Sequence, residues 1–136
     1  MIAKSPIVKH LVLIGGGHSH LAVLKHLGMH PVPGLAVTLI SRDINVPYSG
    51  LLPGFISGTY DTKEISIDLR PLAQFAKARI IQADIKNIDL NDKKLILPNR
   101  PNIPFDLLSI NIGSEPNLNM IPGAQDHAIG IKPLPA

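Results

Sequence analysis

Short apolar runs and one amphipathic stretch alternate in the first third of the chain. Continuous apolar runs occupy residues 10–14 (HLVLI) and 35–41 (LAVTLIS), a pattern typical of parallel strands that are covered on both faces. Between them, residues 18–28 carry leucines at helical spacing, and Gly28 suits the end of a helix. The order strand, glycine turn, helix, strand therefore predicts a βαβ unit, whose crossover is almost always right-handed.

Further along, the pattern predicts a loop with a short helix, then a longer helix and three more strands. Residues 42–61 are rich in glycine and proline, so we expect a loop and a short helix packed on the domain. A helix is expected over 68–78, with Asp68 as its cap. Two antiparallel strands are predicted within 78–90 and 93–99, joined by the turn NDKK. A buried strand that runs into a Gly-Ser turn is predicted within 105–116.

Together these elements predict a doubly wound α/β domain. Its central parallel sheet should contain strands near 10–14, 35–41 and 107–112, with helices on both faces. An antiparallel pair within 79–97 should add a small β-meander. The chain of 136 residues is long enough for one such domain.

The composition excludes several functional classes. Apolar residues make up 45% of the chain, which indicates a globular domain, and no apolar run is long enough to span a bilayer. The first ten residues lack the apolar core of a secretory signal, and there is no cysteine for a disulfide, a thiolate metal site or a redox pair. The net charge of +3 comes from scattered basic side chains with few aromatics beside them, which argues against nucleic-acid binding. We expect a cytoplasmic protein.

The glycine turn after the first strand is the main candidate for function. In a G-x-G-x-x-G fingerprint, Gly15 would allow a tight turn and Gly17 would let the backbone approach a diphosphate at the helix N-terminus. The third position, normally small, holds His20, which predicts a displaced helix or a side chain turned outward. The acid expected at the end of the second strand is replaced by Ser41, although Asp43 lies close by. From these residues alone, nucleotide binding and a glycine turn that only packs a helix on a strand both stay open.

Other candidate chemistry is weak. Two histidines, His18 and His20, lie two positions apart, but alternate residues at a helix start diverge and no carboxylate is near in sequence, so we expect no metal site. The serines lack a neighbouring His/Asp arrangement that would activate a nucleophile. We assign no catalytic residue in this chain.

Several separated segments together resemble FAD-dependent pyridine nucleotide-disulfide oxidoreductases. The similar segments are, in order, HLVLIGGGHSHLAVLKHL, VTLISRDINVPYSGLLPGFISG, FDLLSINIGSEP and IPG. The forms GGGHSH and PYSGLLPG resemble the type II NADH dehydrogenase-like branch, particularly flavoproteins that occur fused to selenide, water dikinase. The histidine at the third fingerprint position then becomes a subfamily feature, and the resemblance favours a phosphate-binding turn.

The resemblance implies a Rossmann-like domain that binds FAD. Ser41 and Arg42 would face the adenosine ribose in place of the family's usual acid, and Asn111 and Ile112 depart from the Ala-Thr of the family's ATGS turn. The implied cofactor-binding residues are Gly15, Gly16, Gly17, His18, Ser19, Ser41, Arg42, Pro47, Tyr48, Leu51, Leu52, Ile85, Gly113 and Ser114.

The implied activity is transfer of a hydride from NAD(P)H to FAD, and then of electrons to a quinone or another acceptor. The alternative is a non-catalytic nucleotide-binding or interaction domain that retains the glycine turn without stable cofactor. Members of the family insert an NAD(P)H-binding domain after the first FAD segment, and this chain ends near the place where it would begin. We therefore expect residues 1–136 to be the N-terminal FAD-binding part of a longer flavoprotein and the isolated chain to be inactive. Peripheral membrane association of the parent and a homodimer are both compatible with this interpretation.

Overall fold

A computed structural model of the protein describes residues 6–114 and 117–128. Two short 3-10 turns lie at Ser49–Leu51 and Leu118–Met120. In chain order the remaining elements are β1 (Lys9–Ile14), α1 (His18–Met29), β2 (Leu35–Ser41), β3 (Asn45–Pro47), α2 (Leu52–Ile56), β4 (Ser66–Asp68), α3 (Leu69–Phe75), β5 (Arg79–Gln82), β6 (Asn87–Asp89), β7 (Lys94–Ile96), β8 (Ile103–Pro104), β9 (Leu107–Ile110) and α4 (Ala124–His127).

The core of the fold is a four-stranded sheet in the order β5-β2-β1-β9, and every neighbouring pair in it is parallel. Strand β1 pairs with β2 from Lys9 opposite Leu35 to Ile14 opposite Ile40, so the predicted βαβ unit is confirmed. The third predicted strand is also confirmed beside β1. It ends two residues earlier than expected, because Asn111 turns toward the glycine turn and its carbonyl accepts a hydrogen bond from Gly17 N–H at 3.1 Å.

Different kinds of element cover the two faces of the sheet. On one face α1 and α3 pack against β1 and β2, and the residues buried there are Leu13, Leu24, Val37, Leu39 and Leu69. On the other face the antiparallel sheet β6-β7-β8 covers side chains of β1, β2 and β5, and this second buried group comprises Val12, Ile14, Ile40, Ile81, Leu95, Leu97, Ile103 and Phe105. The predicted Rossmann-like α/β class is confirmed. In the described residues α1 and α3 cover one face of the parallel sheet and the antiparallel sheet covers the other.

The expected antiparallel pair within 79–97 begins later than predicted. Residues 79–82 form β5, which joins the main sheet parallel to β2, with Thr38 opposite Arg79. The antiparallel pair is β6 with β7, and β8 adds a third strand. The apolar pattern of 79–82 indicates a strand but carries no information about which neighbour it pairs with. The sequence prediction therefore treated β5 and β6 as one strand, although they belong to different sheets.

The second helix and its cap agree with the prediction, although the helix is shorter. The Asp68 carboxylate accepts a hydrogen bond from Arg70 N–H at 2.9 Å and caps α3. Helix α3 ends at Phe75, and Lys77 adopts a positive φ of 53° in the following turn. The first helix instead runs one residue beyond Gly28. A Cβ at Gly28 would overlap the Phe75 ring, so this glycine lets α1 and α3 approach and does not end the helix.

No helix in the described ranges 6–114 and 117–128 is long and apolar enough to cross a membrane.

An ionic contact fastens the start of β9 to the start of β1. The Asp106 carboxylate accepts hydrogen bonds from His10 N–H at 2.7 Å and from Lys9 Nζ at 3.1 Å. The His10 N–H, and then the Lys9 ammonium, lower the pKa of Asp106 from its ordinary value. Because the folded-state pKa is lowered, this carboxylate stabilises the fold above its unfolded pKa, and the stabilisation is lost as the pH falls through the folded pKa.

We predict that Asp106→Asn lowers the free energy of unfolding at neutral pH and weakens its loss in acid. Urea unfolding at about pH 7 and about pH 3 measures both effects. Asp126→Asn in α4 is the control, because the Asp126 carboxylate makes no hydrogen bond within the described residues. Equal acid sensitivity of Asp106→Asn and the wild-type protein would contradict the prediction.

Candidate functional site

A large cleft opens at the carboxyl edge of the parallel sheet. It has a volume of about 980 Å³, and Ile14, Ile40 and Ile110 at the ends of β1, β2 and β9 form its floor. Ligands of open α/β sheets bind at this edge, outside the carboxyl ends of the strands. The volume matches the upper range of small-molecule and cofactor sites.

The glycine turn forms one wall of the cleft, and packing within the protein explains its glycines. Gly15 has a positive φ of 91°, and a Cβ there would overlap the backbone carbonyl of Asn111. At Gly16 a Cβ would lie 2.7 Å from Val46 Cγ2 and 2.8 Å from Leu69 Cδ1. These positions therefore require glycine for the turn itself, with or without a ligand.

The N-terminus of α1 points its free backbone donors into the cleft. The helix begins at His18 after Gly17, with no side-chain cap and no acidic residue in its first turn. Within the described residues, nothing accepts a hydrogen bond from the backbone N–H of His18 or Ser19, and both residues line the cleft. Free N–H groups and the positive end of the helix dipole together suit an anion such as a phosphate group.

Asn111 helps to shape the glycine turn, and the sequence prediction missed this role. Its backbone accepts from Gly17 N–H and donates to the Ile14 carbonyl at 2.8 Å, while its side chain lies where a Cβ of Gly17 would be. The one signal in the sequence is that Asn111 departs from the alanine usual at that position in the family that the chain resembles. Its side chain therefore lies beside the glycine that the fingerprint reserves for close approach of a diphosphate.

His20 does not turn outward as predicted. Its side chain is 1% exposed and lies between the glycine turn and β9. The ring Nδ1 is 2.7 Å from the Gly15 carbonyl oxygen, and Nε2 is 2.9 Å from Ser109 Oγ. The expectation of an outward side chain is wrong because both ring nitrogens find polar partners inside, so burial leaves neither of them unsatisfied.

The end of β2 offers polar groups in place of the missing acid. Ser41 is buried and lines the cleft, next to Arg42 and Asp43. Arg42 Nε lies 3.4 Å from Asp43 Oδ2, and both side chains are well exposed. The Arg42 carbonyl accepts from Gln82 Nε2 at 3.1 Å, which ties this strand end to β5. A carboxylate thus lies on the cleft two positions beyond Ser41, within reach of the place where the fingerprint expects it.

Two aromatic rings on the cleft are in contact. The His18 and Tyr48 rings have centroids 4.6 Å apart and planes tilted by 57°. Pro47 lies beside them, and Ile85, Gly113 and Ser114 line the cleft elsewhere. Twelve of the fourteen predicted residues therefore line one cleft, and their role toward a cofactor stays a prediction. The two others, Leu51 and Leu52, do not line it, and Leu52 is a core residue.

Ionisable groups with shifted pKa values lie outside the cleft. Asp68, Asp89 and Asp106, whose pKa values are lowered mainly by hydrogen bonds, are structural groups of a helix cap, a turn and a strand start. Across residues 6–114 and 117–128, no group of three or more His, Asp or Glu side chains could hold a metal ion. The cleft as described is suited to binding by backbone donors.

Known proteins with similar sequence or structure are oxidoreductases. The chain is 28% identical over 131 residues to the NADH dehydrogenase-like protein YutJ of Bacillus subtilis, a match covering 93% of this chain and 35% of that protein. A sulfide:quinone oxidoreductase from Aquifex aeolicus aligns with a TM-score of 0.68 and 28% identity, over 78% of this chain and 24% of that one. No protein-family model matches.

A further solved structure, NDH2 from Plasmodium falciparum in complex with NADH, shares the fold with a TM-score of 0.69 at 21% identity. That alignment covers 86% of this chain and 25% of the Plasmodium chain. The chain therefore spans about a third or less of the length of the proteins it matches. Its Rossmann-like fold is that of dinucleotide-dependent oxidoreductases.

We predict that Gly15→Ala destabilises the protein far more than Gly113→Ala. Both glycines have a positive φ, 91° and 82°, so both variants lose about 1 kcal/mol from backbone strain. Only at Gly15 does the new Cβ meet backbone, whereas nothing lies within 4 Å of a Cβ at Gly113. We expect a total loss of about 3 kcal/mol or more for Gly15→Ala, measured by urea unfolding without ligand. Equal losses would show that the contact with Asn111 is relaxed in solution.

Proposed function

We propose that the cleft binds FAD and that the chain is the FAD-binding part of an NAD(P)H-dependent oxidoreductase. The single observation that carries the proposal is the uncapped N-terminus of α1, whose free N–H groups open onto a cleft of about 980 Å³. A cleft of this size suits a dinucleotide, and a diphosphate is the ligand group that free N–H donors at a helix start recognise.

The residues on the cleft suggest where each part of the cofactor would lie. The diphosphate would lie at residues 15–19, and the adenosine would extend toward the end of β2, where Ser41 and Asp43 offer oxygens for the ribose hydroxyls. Ile85, which follows β5, would lie along the adenine. The flavin would extend toward the part of the cleft that Pro47 and Tyr48 line.

Bound FAD would supply the redox chemistry, since a flavin accepts a hydride from a nicotinamide and passes electrons onward. The chain's own residues would bind and orient it, and the buried side chains of Ile14 and Ile40 would offer it an apolar surface. The names of the relatives support NADH as donor and, for the Aquifex protein, a quinone as acceptor. The motifs GGGHSH and PYSGLLPG support a finer assignment to the branch fused to selenide, water dikinase.

A non-catalytic glycine turn is the second candidate, and one observation favours it. The Asn111 side chain lies where a Cβ of Gly17 would be, so packing alone gives a reason for glycine at that position. In that case the turn would hold α1 on the sheet without a diphosphate. The two candidates differ in what happens when the Asn111 side chain is removed.

We predict that the purified chain binds added FAD and that Gly17→Ala weakens binding by about tenfold or more, because a methyl group blocks the diphosphate. Binding is measured by quenching of flavin fluorescence, and stability by urea unfolding.

The control is the same substitution in an Asn111→Ala background, where the neighbouring side chain is gone. Stability should then recover while FAD affinity stays low, which separates the ligand from packing. Recovery of both would favour the second candidate, and wild-type protein without measurable FAD binding would reject the proposal.

We also predict that the 136-residue chain with FAD, NADH and a quinone shows no protein-dependent turnover. Hydride transfer needs a nicotinamide held against the flavin, and the described residues contain only one strand–glycine turn–helix unit with an open helix start. NADH oxidation is followed by absorbance, with FAD binding checked in the same sample. Sustained turnover by the chain alone would contradict the assignment to part of a larger enzyme.

A further inference from the structure

We propose that His20 is a positioning residue that orients the phosphate-binding turn by bridging it to β9. The effect on FAD affinity rests on the proposed function, whereas the anchoring of the turn by His20 rests on the hydrogen bonds alone. His20 touches neither the cleft nor a ligand, since it is buried behind the turn and does not line the cleft.

The hydrogen bonds define the tautomer of the ring. Nδ1 lies 2.7 Å from the Gly15 carbonyl oxygen, which can only accept, so Nδ1 carries a proton. In the neutral ring Nε2 is then bare and accepts from the Ser109 hydroxyl at 2.9 Å. For the neutral ring the partners therefore assign the Nδ1–H tautomer, and both nitrogens have a hydrogen-bond partner in the interior.

The bridge fixes the first peptide of the turn from both sides. Gly15 N–H donates to the Ile40 carbonyl at 2.7 Å, and the Gly15 carbonyl accepts from His20. Two residues later Gly17 N–H donates to the Asn111 carbonyl at 3.1 Å. The turn is thus held by β2 on one side and by β9 on the other, and the donors of His18 and Ser19 follow directly from this anchored segment.

This arrangement reverses the usual requirement at the third fingerprint position. A small residue there lets the helix lie close to the first strand. Here the space is filled by a ring that contributes two hydrogen bonds, and removal of the ring leaves a buried carbonyl without its partner. Restoring the ordinary small residue should therefore harm the site, not improve it.

The first test examines the protein without ligand. Nitrogen-15 NMR of the histidine rings distinguishes protonated from bare ring nitrogens. For His20 we expect a protonated Nδ1 and a bare Nε2, and a bare Nδ1 would overturn the proposal. Ser109→Ala removes the donor to Nε2 and should shift the Nε2 resonance.

The second test separates hydrogen bonding from packing with matched substitutions. His20→Leu keeps about the volume and removes both hydrogen bonds, whereas His20→Asn loses volume but places an amide N–H near the position of Nδ1. We expect FAD binding to weaken about tenfold or more in His20→Leu and clearly less in His20→Asn, an effect of about one net hydrogen bond. His26→Leu, on an exposed position of the same helix, should leave the affinity unchanged.

Backbone amide resonances of residues 15–19 give a readout that does not need FAD. In the ligand-free chain they should move in His20→Leu and stay closer to wild type in His20→Asn. If wild-type protein does not bind FAD, the proposed function fails while these resonances still decide the role of His20. If His20→Leu preserves the turn better than His20→Asn, the side chain serves as core filling and the proposal is overturned.

Discussion

The contact between the glycine turn and the end of β9 is the constraint on which the site depends. The Asn111 carbonyl lies against Gly15 and accepts from Gly17 N–H, so one peptide group determines the conformation of the whole turn. Strand β9 is in turn placed by its parallel register with β1 and by the Asp106 contact at its start. The shape of a wall of the cleft is therefore set by residues almost a hundred positions away in sequence, and the site forms only when the sheet is complete.

The two faces of the sheet contribute differently to this site. The helical face brings the α1 N-terminus to the carboxyl edge, because α1 and α3 pack closely where Gly28 meets Phe75. The antiparallel sheet covers the opposite face with Leu95 and Phe105, which pack in one buried group with Ile14 and Ile40 of the cleft floor. Apolar burial on both faces supplies the stability that lets a turn with uncapped helix donors persist at the edge.

The sequence predicted the parts of the fold that depend on local periodicity. Continuous apolar runs identified β1 and β2, and the Asp68 cap located the start of α3, because these signals come from neighbouring residues. Pairing partners depend on residues far apart, so β5 was assigned to the wrong sheet. The inward orientation of His20 was missed for the same reason, since its partner Ser109 comes from a strand 89 positions later. The gathering of twelve candidate residues around one cleft followed from family resemblance, not from periodicity.

The three glycines are weaker indicators of a ligand than the fingerprint implies. Each has a protein neighbour that a Cβ would meet: the Asn111 backbone at Gly15, Val46 and Leu69 at Gly16, and the Asn111 side chain at Gly17. Packing therefore gives a reason for glycine at each position even in a protein that binds nothing, although at Gly17 the Asn111 side chain could move aside. What packing does not explain is a helix start without a capping side chain, whose N–H groups face open space. A helix N-terminus ordinarily satisfies these donors with a Ser, Thr, Asp or Asn side chain. Here the preceding residue is glycine and the first turn contains no acid, so the donors of His18 and Ser19 are left for water or for an anion that enters the cleft.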